Sequence, residues 1–284
     1  MKDSGNEKYY SIGEVSSICN ISKKALRFYD KIGIILPDKV SEETNYRFYS
    51  RKSLLMVPII KYFKQSGFRL DEIRDLFHDT SFVNYLSKFD QKLDELDVSR
   101  QEIDIAYRSV KDWRTLIMEA ERVISTRADN VSVRFFAPLD VIYLDQPFKY
   151  DYMDTIINID FTNYIADNDA AITGPVMVQY PDYKNKMNGE CVSARVIQEC
   201  VKTPDSSLLT KIGGGMYVSC YHIGSHDTLP DTYKKIADWA DDNGYELAES
   251  CMERYVTDFW TIQNQDMFVT EVLIEANRRQ INNE

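Results

Sequence analysis

The chain has no apolar run long enough to span a bilayer, and no basic start leading into an apolar core and a small-residue cleavage site. Neither a membrane span nor a secretory leader is expected. Cysteine is scarce and scattered: Cys19, Cys191, Cys200, Cys220 and Cys251 are odd in number, and no Cys-x-x-Cys occurs. The histidines, His78, His222 and His226, do not gather with them into a ligand set. A disulfide framework is therefore not expected, nor is a metal site or any other cofactor, and the thiols read as reduced cysteines of a cytoplasmic protein. Net positive charge is missing as well. The 284 residues carry a formal charge of −11, which taken whole argues against nucleic acid.

Counted by segment, the charge balance reverses locally. Lys8 to Arg74 holds 13 Lys and Arg against 7 Asp and Glu, a balance of +6, and residues 1–7 contribute −1, so the remainder carries −16. A basic head on an acidic body fits DNA at one end and a different partner at the other. With 44% apolar residues over this length, two domains and a connector can each bury a core.

Ser11 followed by Glu14 is a capping box and opens a helix whose apolar face is Ile12, Val15 and Ile18. Cys19-Asn20-Ile21 makes a turn, and Ser22 caps a second helix from Lys23 to about Lys31. There Ala25 and Leu26 face inward with Tyr29 at their edge, while Lys23, Lys24 and Arg27 face outward. A short helix with a cationic rim is the geometry of major-groove recognition. Val40 to Tyr49 reads as a hairpin whose Tyr46-Arg-Phe-Tyr arm can lay Arg47 and a tyrosine hydroxyl on phosphates. A generic helical domain with solvated lysines is the plain alternative.

Ser53 to Gln65 is helical by pattern, with Pro58 expected to kink or break it, and Gly67 stops it. A 4-3 spacing then runs through Phe82, Leu86, Phe89, Leu93, Leu96, Arg100, Ile103, Tyr107, Val110, Arg114 and Ile117. Nine of these eleven stations are apolar, the pattern of a coiled coil rather than of a helix lying on its own domain. The simplest partner is a second copy, which would also pair two recognition helices on two-fold DNA.

Beyond Arg127 strand patterns take over. Strands are expected at 131–137 and 141–145, forming one pair, then a helix over 152–167 and strands at 176–180 and 191–197. A second half follows with strands at 207–212 and 216–223, a helix over 231–243, and strands at 248–255 and 267–276. The helix ends Tyr164-Ile-Ala-Asp-Asn-Asp and Trp239-Ala-Asp-Asp-Asn-Gly read alike, so the body is expected to be a duplicated α+β module whose two sheets pack with a groove between the halves. Glu253 lies mid-strand between Met252 and Arg254, near Tyr255, Phe259 and Trp260. A carboxylate there needs a partner: Arg254, another cation of the protein, or a cationic ligand. Tyr143, Phe148, Tyr180, Tyr221, Trp239 and Phe268 could offer ring faces to a cation, or be core. From Ser125 onward 25 acidic residues face 13 basic ones, which favours cations over anions.

Over roughly its first 120 residues the chain resembles the MerR family of transcription regulators, through Tyr10-Ser-Ile-Gly-Glu-Val, Ala25-Leu-Arg-Phe-Tyr-Asp and Asn45-Tyr-Arg-Phe-Tyr. The C-terminal half resembles the GyrI-like effector domain, so the whole is similar to the multidrug-sensing branch. The resemblance implies a winged helix-turn-helix DNA-binding domain over 1–80, a coiled-coil dimerisation helix over 81–124 and a GyrI-like effector-binding domain over 125–284. It further implies an antiparallel coiled-coil homodimer and a promoter whose DNA is bent and untwisted for RNA polymerase when a hydrophobic cation binds. The DNA contacts would be Ser22, Lys23, Lys24, Arg27, Tyr29, Tyr46, Arg47 and Tyr49. Glu253 becomes the effector carboxylate, with Phe268, Tyr143, Phe148, Tyr180, Tyr221, Trp239 and Tyr255 around it. Phe28 replaces the first of the family's usual tyrosine pair, and other pocket tyrosines fall on Thr228 and Asn158. A non-enzymatic, ligand-responsive activator is expected. The alternatives are a small-molecule hydrolase with the strand glutamate as general base, or an architectural DNA dimer without effector.

Overall fold

A computed structural model describes residues 8–79, 81–202 and 205–279. The chain divides into two compact units, Met1–Gln101 and Glu102–Glu284.

In the first unit the Ser11–Glu14 capping box forms, with the Glu14 amide donating to Ser11 Oγ at 3.3 Å and the Ser11 amide to Glu14 Oε2 at 2.7 Å. It starts α1 (Ile12–Ile18), which buries Val15 and leaves Ile18 exposed. Ser22 Oγ accepts from the Ala25 amide at 3.1 Å and starts α2 (Lys23–Lys31), whose buried face is Leu26 and Tyr29. Strands β1 (Tyr10–Ser11), β2 (Lys39–Val40) and β3 (Arg47–Tyr49) form an antiparallel sheet in the order β1-β3-β2. The hairpin tip turns through Asn45 at φ 54°, a left-handed conformation that asparagine tolerates. Helix α3 (Arg51–Gln65) continues through Pro58 without the break that was one of the two expected outcomes, and buries Leu54, Val57 and Ile60. With α4 (Leu70–His78) it closes a core around Val15, Leu26, Tyr29, Tyr49, Ile73 and Leu76.

Helix α5 (Phe82–Thr126) is 45 residues long. All nine apolar 4-3 stations are exposed, from Phe89 at 39% to Phe82 at 89%. The helix is not unpartnered throughout: Phe89 packs its ring on Phe63 and Phe68, and in the second unit Leu116, Ala120 and Val123 are buried with Val256 and Val269.

The second unit is built on one antiparallel sheet of eight strands among the described residues. These are β4 (Ser132–Phe136), β5 (Leu139–Pro147), β6 (Ala171–Tyr180), β7 (Ser193–Lys202), β8 (Leu209–Ile212), β9 (Gly215–Ile223), β10 (Tyr245–Thr257) and β11 (Val269–Arg278), in the order β4-β9-β11-β10-β6-β7-β5-β8. Read outward from the β6–β10 junction, each half repeats the same pattern, β6-β7-β5 on one side and β10-β11-β9 on the other, and the first strand of each half pairs with the other half. Two expectations are corrected by this topology. The first two strands do not pair with each other, because β4 lies on β9 while β5 lies on β7 and β8. Nor are there two packed sheets, because Tyr180↔Cys251 to Val176↔Tyr255 join the halves into one.

The helix expected over 152–167 is two: α6 (Tyr152–Ile156) and α7 (Ile159–Asp167), separated where Asn158 Oδ1 caps the Phe161 amide at 2.8 Å. A helix that the sequence pattern does not predict, α8 (Tyr183–Asn188), follows β6, and α9 (Leu229–Asp242) precedes β10. Helices α6, α7 and α9 cover one face, on Ile142, Val178, Val196, Val218, Val272 and Ile274. The opposite face carries Val141, Met177, Ile197, Met252 and Leu273, and the end of α5. Among the described residues no helix is long and apolar enough to cross a membrane.

On the α5 side Arg254 is the ionic tie. Its Nη1 donates to Glu119 Oε1 at 2.7 Å and Glu271 Oε2 at 3.0 Å, its Nη2 to Glu119 Oε2 at 2.6 Å, and Tyr221 adds a hydroxyl to Glu119 at 2.7 Å. Arg254→Met would leave the largely buried Glu119 without its cation, while Glu271 keeps Arg134 at 2.7 Å, so urea unfolding should show a loss of roughly 3 kcal/mol. A loss below about 1 kcal/mol would mean that water or rearrangement already satisfies Glu119.

Candidate functional site

Two surfaces matter, one in each unit. In the first, Ser22, Lys23, Lys24, Arg27 and Tyr46 are exposed as expected of DNA contacts, Ser22 also serving as the cap of α2. Arg47 is half-exposed, and its Nε donates to Asp30 Oδ2 at 2.6 Å, tying the wing to the end of α2. Tyr29 and Tyr49 depart from the expectation. Both lie in the core, burial raises both hydroxyl pKa values, and the Tyr49 hydroxyl is buried without a partner. Their rings belong to one core that joins α2 and β3. Tyr46 is exposed while Tyr49, three residues on, turns inward, so the two tyrosines of the wing arm do not share a surface.

In the second unit, β10 presents Cys251, Glu253 and Tyr255 to the helix-covered face, and Met252 and Arg254 to the other. Strand alternation therefore excludes Arg254 as the partner of Glu253, because neighbours on a strand point apart. Glu253 has no exposed surface. Its Oε1 accepts from Lys186 Nζ at 2.8 Å and from the Tyr233 hydroxyl at 2.8 Å, and its Oε2 accepts from the Tyr255 hydroxyl at 2.5 Å and the Tyr180 hydroxyl at 3.2 Å. Lys186, 2% exposed, also donates to the Tyr152 hydroxyl at 2.6 Å. Its ammonium lies 4.7 Å from the Tyr180 ring centre, 4.9 Å from Tyr152, 5.3 Å from Phe148, 5.5 Å from Tyr233 and 5.6 Å from Tyr150. The space before the carboxylate is thus an aromatic cage occupied by a cation of the chain itself.

The electrostatics follow from that pairing. Burial alone would raise the Glu253 carboxyl, but the Lys186 charge and the hydrogen bonds from Lys186, Tyr255 and Tyr233 outweigh it and hold the group below its ordinary value of 4.5. Burial, with the neighbouring carboxylate adding to it, pushes the Tyr180, Tyr233 and Tyr255 hydroxyls far up, so they remain donors. His226 borders the cage: it stacks on Tyr152 at 4.5 Å, meets Tyr255 and Phe268 at 5.6 Å each, and has Asp258 Oδ2 3.0 Å from its Nε2. Chemically the arrangement holds a monocation through one carboxylate, one phenol oxygen and ring faces, while three other phenols donate to the carboxylate.

Of the expected ligand residues, Glu253, Phe148, Tyr180 and Tyr255 meet in the cage, with Phe268 joined through His226. Three do not. Tyr143 lies on the other face under Arg195, whose guanidinium is 4.2 Å from its ring, Tyr221 bonds Glu119, and Trp239 stacks on Tyr245 away from Glu253. Tyr143 and Tyr221 miss by strand parity alone. Lys186, Tyr150, Tyr152 and Tyr233 join the cage without having been expected there. Tyr233 was findable, since it continues the apolar face Leu229, Tyr233, Ile236, Ala240 of α9. Lys186 was not, because a lysine within Tyr183-Lys-Asn-Lys-Met-Asn reads as solvated. Among the described residues no three His, Cys, Asp or Glu gather to hold a metal.

A carboxyl whose folded-state pKa is depressed contributes stability that is present above its unfolded value and lost as pH falls through the folded one. Glu253→Gln should therefore destabilise the chain by roughly 3–5 kcal/mol near pH 7, and the gap from wild type should narrow as pH falls below about 4.5. Denaturant unfolding across that range checks it, and a gap independent of pH would contradict the pairing.

The model of the MerR HTH family regulatory protein matches residues 10–80, and that of the GyrI-like small molecule binding domain matches residues 130–276. The multidrug-efflux transporter 1 regulator of Bacillus subtilis (strain 168) is 35% identical over 140 residues, covering 44% of this chain and 50% of its own length. The multidrug-efflux transporter 2 regulator of the same organism is 23% identical over 276 residues, covering 95% of this chain and 97% of its own. Among solved structures, EcmrR in a cryo-EM complex with DNA covers 95% of this chain and 100% of its own, at 20% identity and a TM-score of 0.46. The chain belongs to the MerR family of transcription regulators, with a GyrI-like small molecule binding domain following its helix-turn-helix.

Proposed function

We propose that this chain is a cytoplasmic transcription activator that binds promoter DNA as a homodimer and responds to a hydrophobic, aromatic cation held in the Glu253 cage. The observation that carries the reading is the buried carboxylate within five ring faces, satisfied by an ammonium. A site that is complete around one positive charge is chemically suited to another. The body's excess of acidic residues attracts the same sign of ligand. Two relatives are named as regulators of multidrug-efflux transporters, in keeping with an effector chosen by charge and apolar bulk.

The exposed 4-3 stripe on α5 supports pairing with a second copy, antiparallel as in the family. Lys23, Lys24, Arg27 and Tyr46 supply the contacts to DNA, and Arg47 holds the wing against α2. Effector binding would stabilise a bent, untwisted promoter for RNA polymerase, so that sequence is read partly as deformability. The hydrolase alternative needs Glu253 as a free base; its engagement by Lys186 and three phenols supports a binder instead. The effector-free alternative leaves the cage without a purpose.

Operator sequences selected from random duplex DNA by the full chain provide the test. Arg27→Ala should weaken binding and lower the slope of log affinity against log salt by about 1. Transcription from the selected operator should rise when benzyltrimethylammonium is added. An unchanged slope would remove Arg27 from the interface, an unchanged transcript would remove the cation as effector, and turnover of the compound would favour the hydrolase.

A further inference from the structure

We propose that Lys186 is a tethered resident cation: it occupies the effector's place, and a cationic effector binds by taking Glu253 from it as the lysine side chain withdraws. This rests on the cation-sensing reading above and adds a competitor built into the chain.

The space in front of the carboxylate is filled by Lys186 and its rings, so a ligand that reaches Glu253 must displace something. Four of the five rings, those of Phe148, Tyr152, Tyr180 and Tyr233, belong to the core of the sheet and its helices, and Tyr150 is exposed beside them. Lys186 belongs to a six-residue helix, and among the described residues of α8 it alone is buried, while Lys184, Asn185 and Asn188 are exposed. The helix packs Tyr183 and Met187 against that same core, and polar groups bound it at both ends. Asp182 Oδ1 caps the Lys184 and Asn185 amides at 2.7 and 3.0 Å, and Gly189 ends it at φ +78°. The Tyr150 hydroxyl accepts from the Cys191 amide at 3.0 Å and reaches the Asn185 and Lys186 carbonyls at 3.5 and 3.4 Å. The lysine stem is flexible, and its ammonium is a strongly hydrated point charge that water accepts on leaving.

A purely structural ion pair would not need five rings around its cation, and an apolar pair of similar volume would stabilise the core as well. The tether also sets selectivity. Lys186 competes at the high effective concentration of an intramolecular partner. A free primary ammonium offers nothing that the lysine lacks. A quaternary, weakly hydrated cation with an aromatic body gains more from the rings and loses less hydration.

The test uses the full chain and benzyltrimethylammonium, followed by intrinsic tryptophan fluorescence. Lys186→Met keeps the stem and removes the charge, so affinity should rise at least tenfold. Equal or weaker affinity in the folded variant would overturn the proposal. In wild type, acetylation mapped by mass spectrometry should find Lys186 protected relative to Lys184 without ligand, and labelled several-fold faster at saturating cation. A lysine that stays protected with the cation bound would overturn it even if the variant failed to fold. Cation binding with neither effect sinks the displacement mechanism alone, whereas absence of binding to wild type and variant alike sinks the cation-sensing reading as well.

Discussion

A carboxylate with no exposed surface sets the terms for the rest of the second unit. Glu253 sits mid-strand in β10, and an unpaired charge there would be prohibitively expensive to bury. The surrounding sequence reads as the answer to that demand: phenols on β6, β10 and α9 to donate, and a lysine on α8 to neutralise. Because the carboxylate's needs are met only when a cation is present, the core of this unit is complete in a charged form.

The pleat of one strand divides the labour. Glu253 faces the helices and the cage, while Arg254, one residue on, faces α5 and bonds Glu119 and Glu271. The ionic tie that holds the end of α5 to the sheet therefore lies one peptide away from the cage carboxylate. The β6–β10 pairing joins the two halves into one sheet, and β10 carries both the cage carboxylate and, at Val256, part of the surface beneath α5.

Much of this was legible in the residues, for reasons that can be named. Ser11–Glu14 and Ser22 are local caps whose chemistry acts within three residues, so they fixed helix starts correctly. The 4-3 stripe is a long periodic signal, and it remains exposed along α5. The failures are tertiary. Tyr29 and Tyr49 read as polar surface groups because their hydroxyls are visible in sequence while their burial is not. The pairing of β4 with β9 rather than with β5 depends on long-range exchange that no turn signal announces. Tyr143 and Tyr221 fell on the wrong face because strand parity is fixed by register, and a lone aromatic does not reveal it. Lys186 is the sharpest case: only the fold turns a lysine in a polar hexapeptide into the counterion of the site.

If the Glu253 cage is a cation sensor, charge rather than shape selects its occupant. Benzyltrimethylammonium and neopentylbenzene are isosteres that differ by one positive charge, so their relative affinities for the full-length protein isolate that variable. The cation should bind at least tenfold more tightly than its neutral twin, a difference of about 1.4 kcal/mol, and Glu253→Gln should abolish the preference. Equal binding of the two to wild type, or a preference that survives the substitution, would contradict selection by charge.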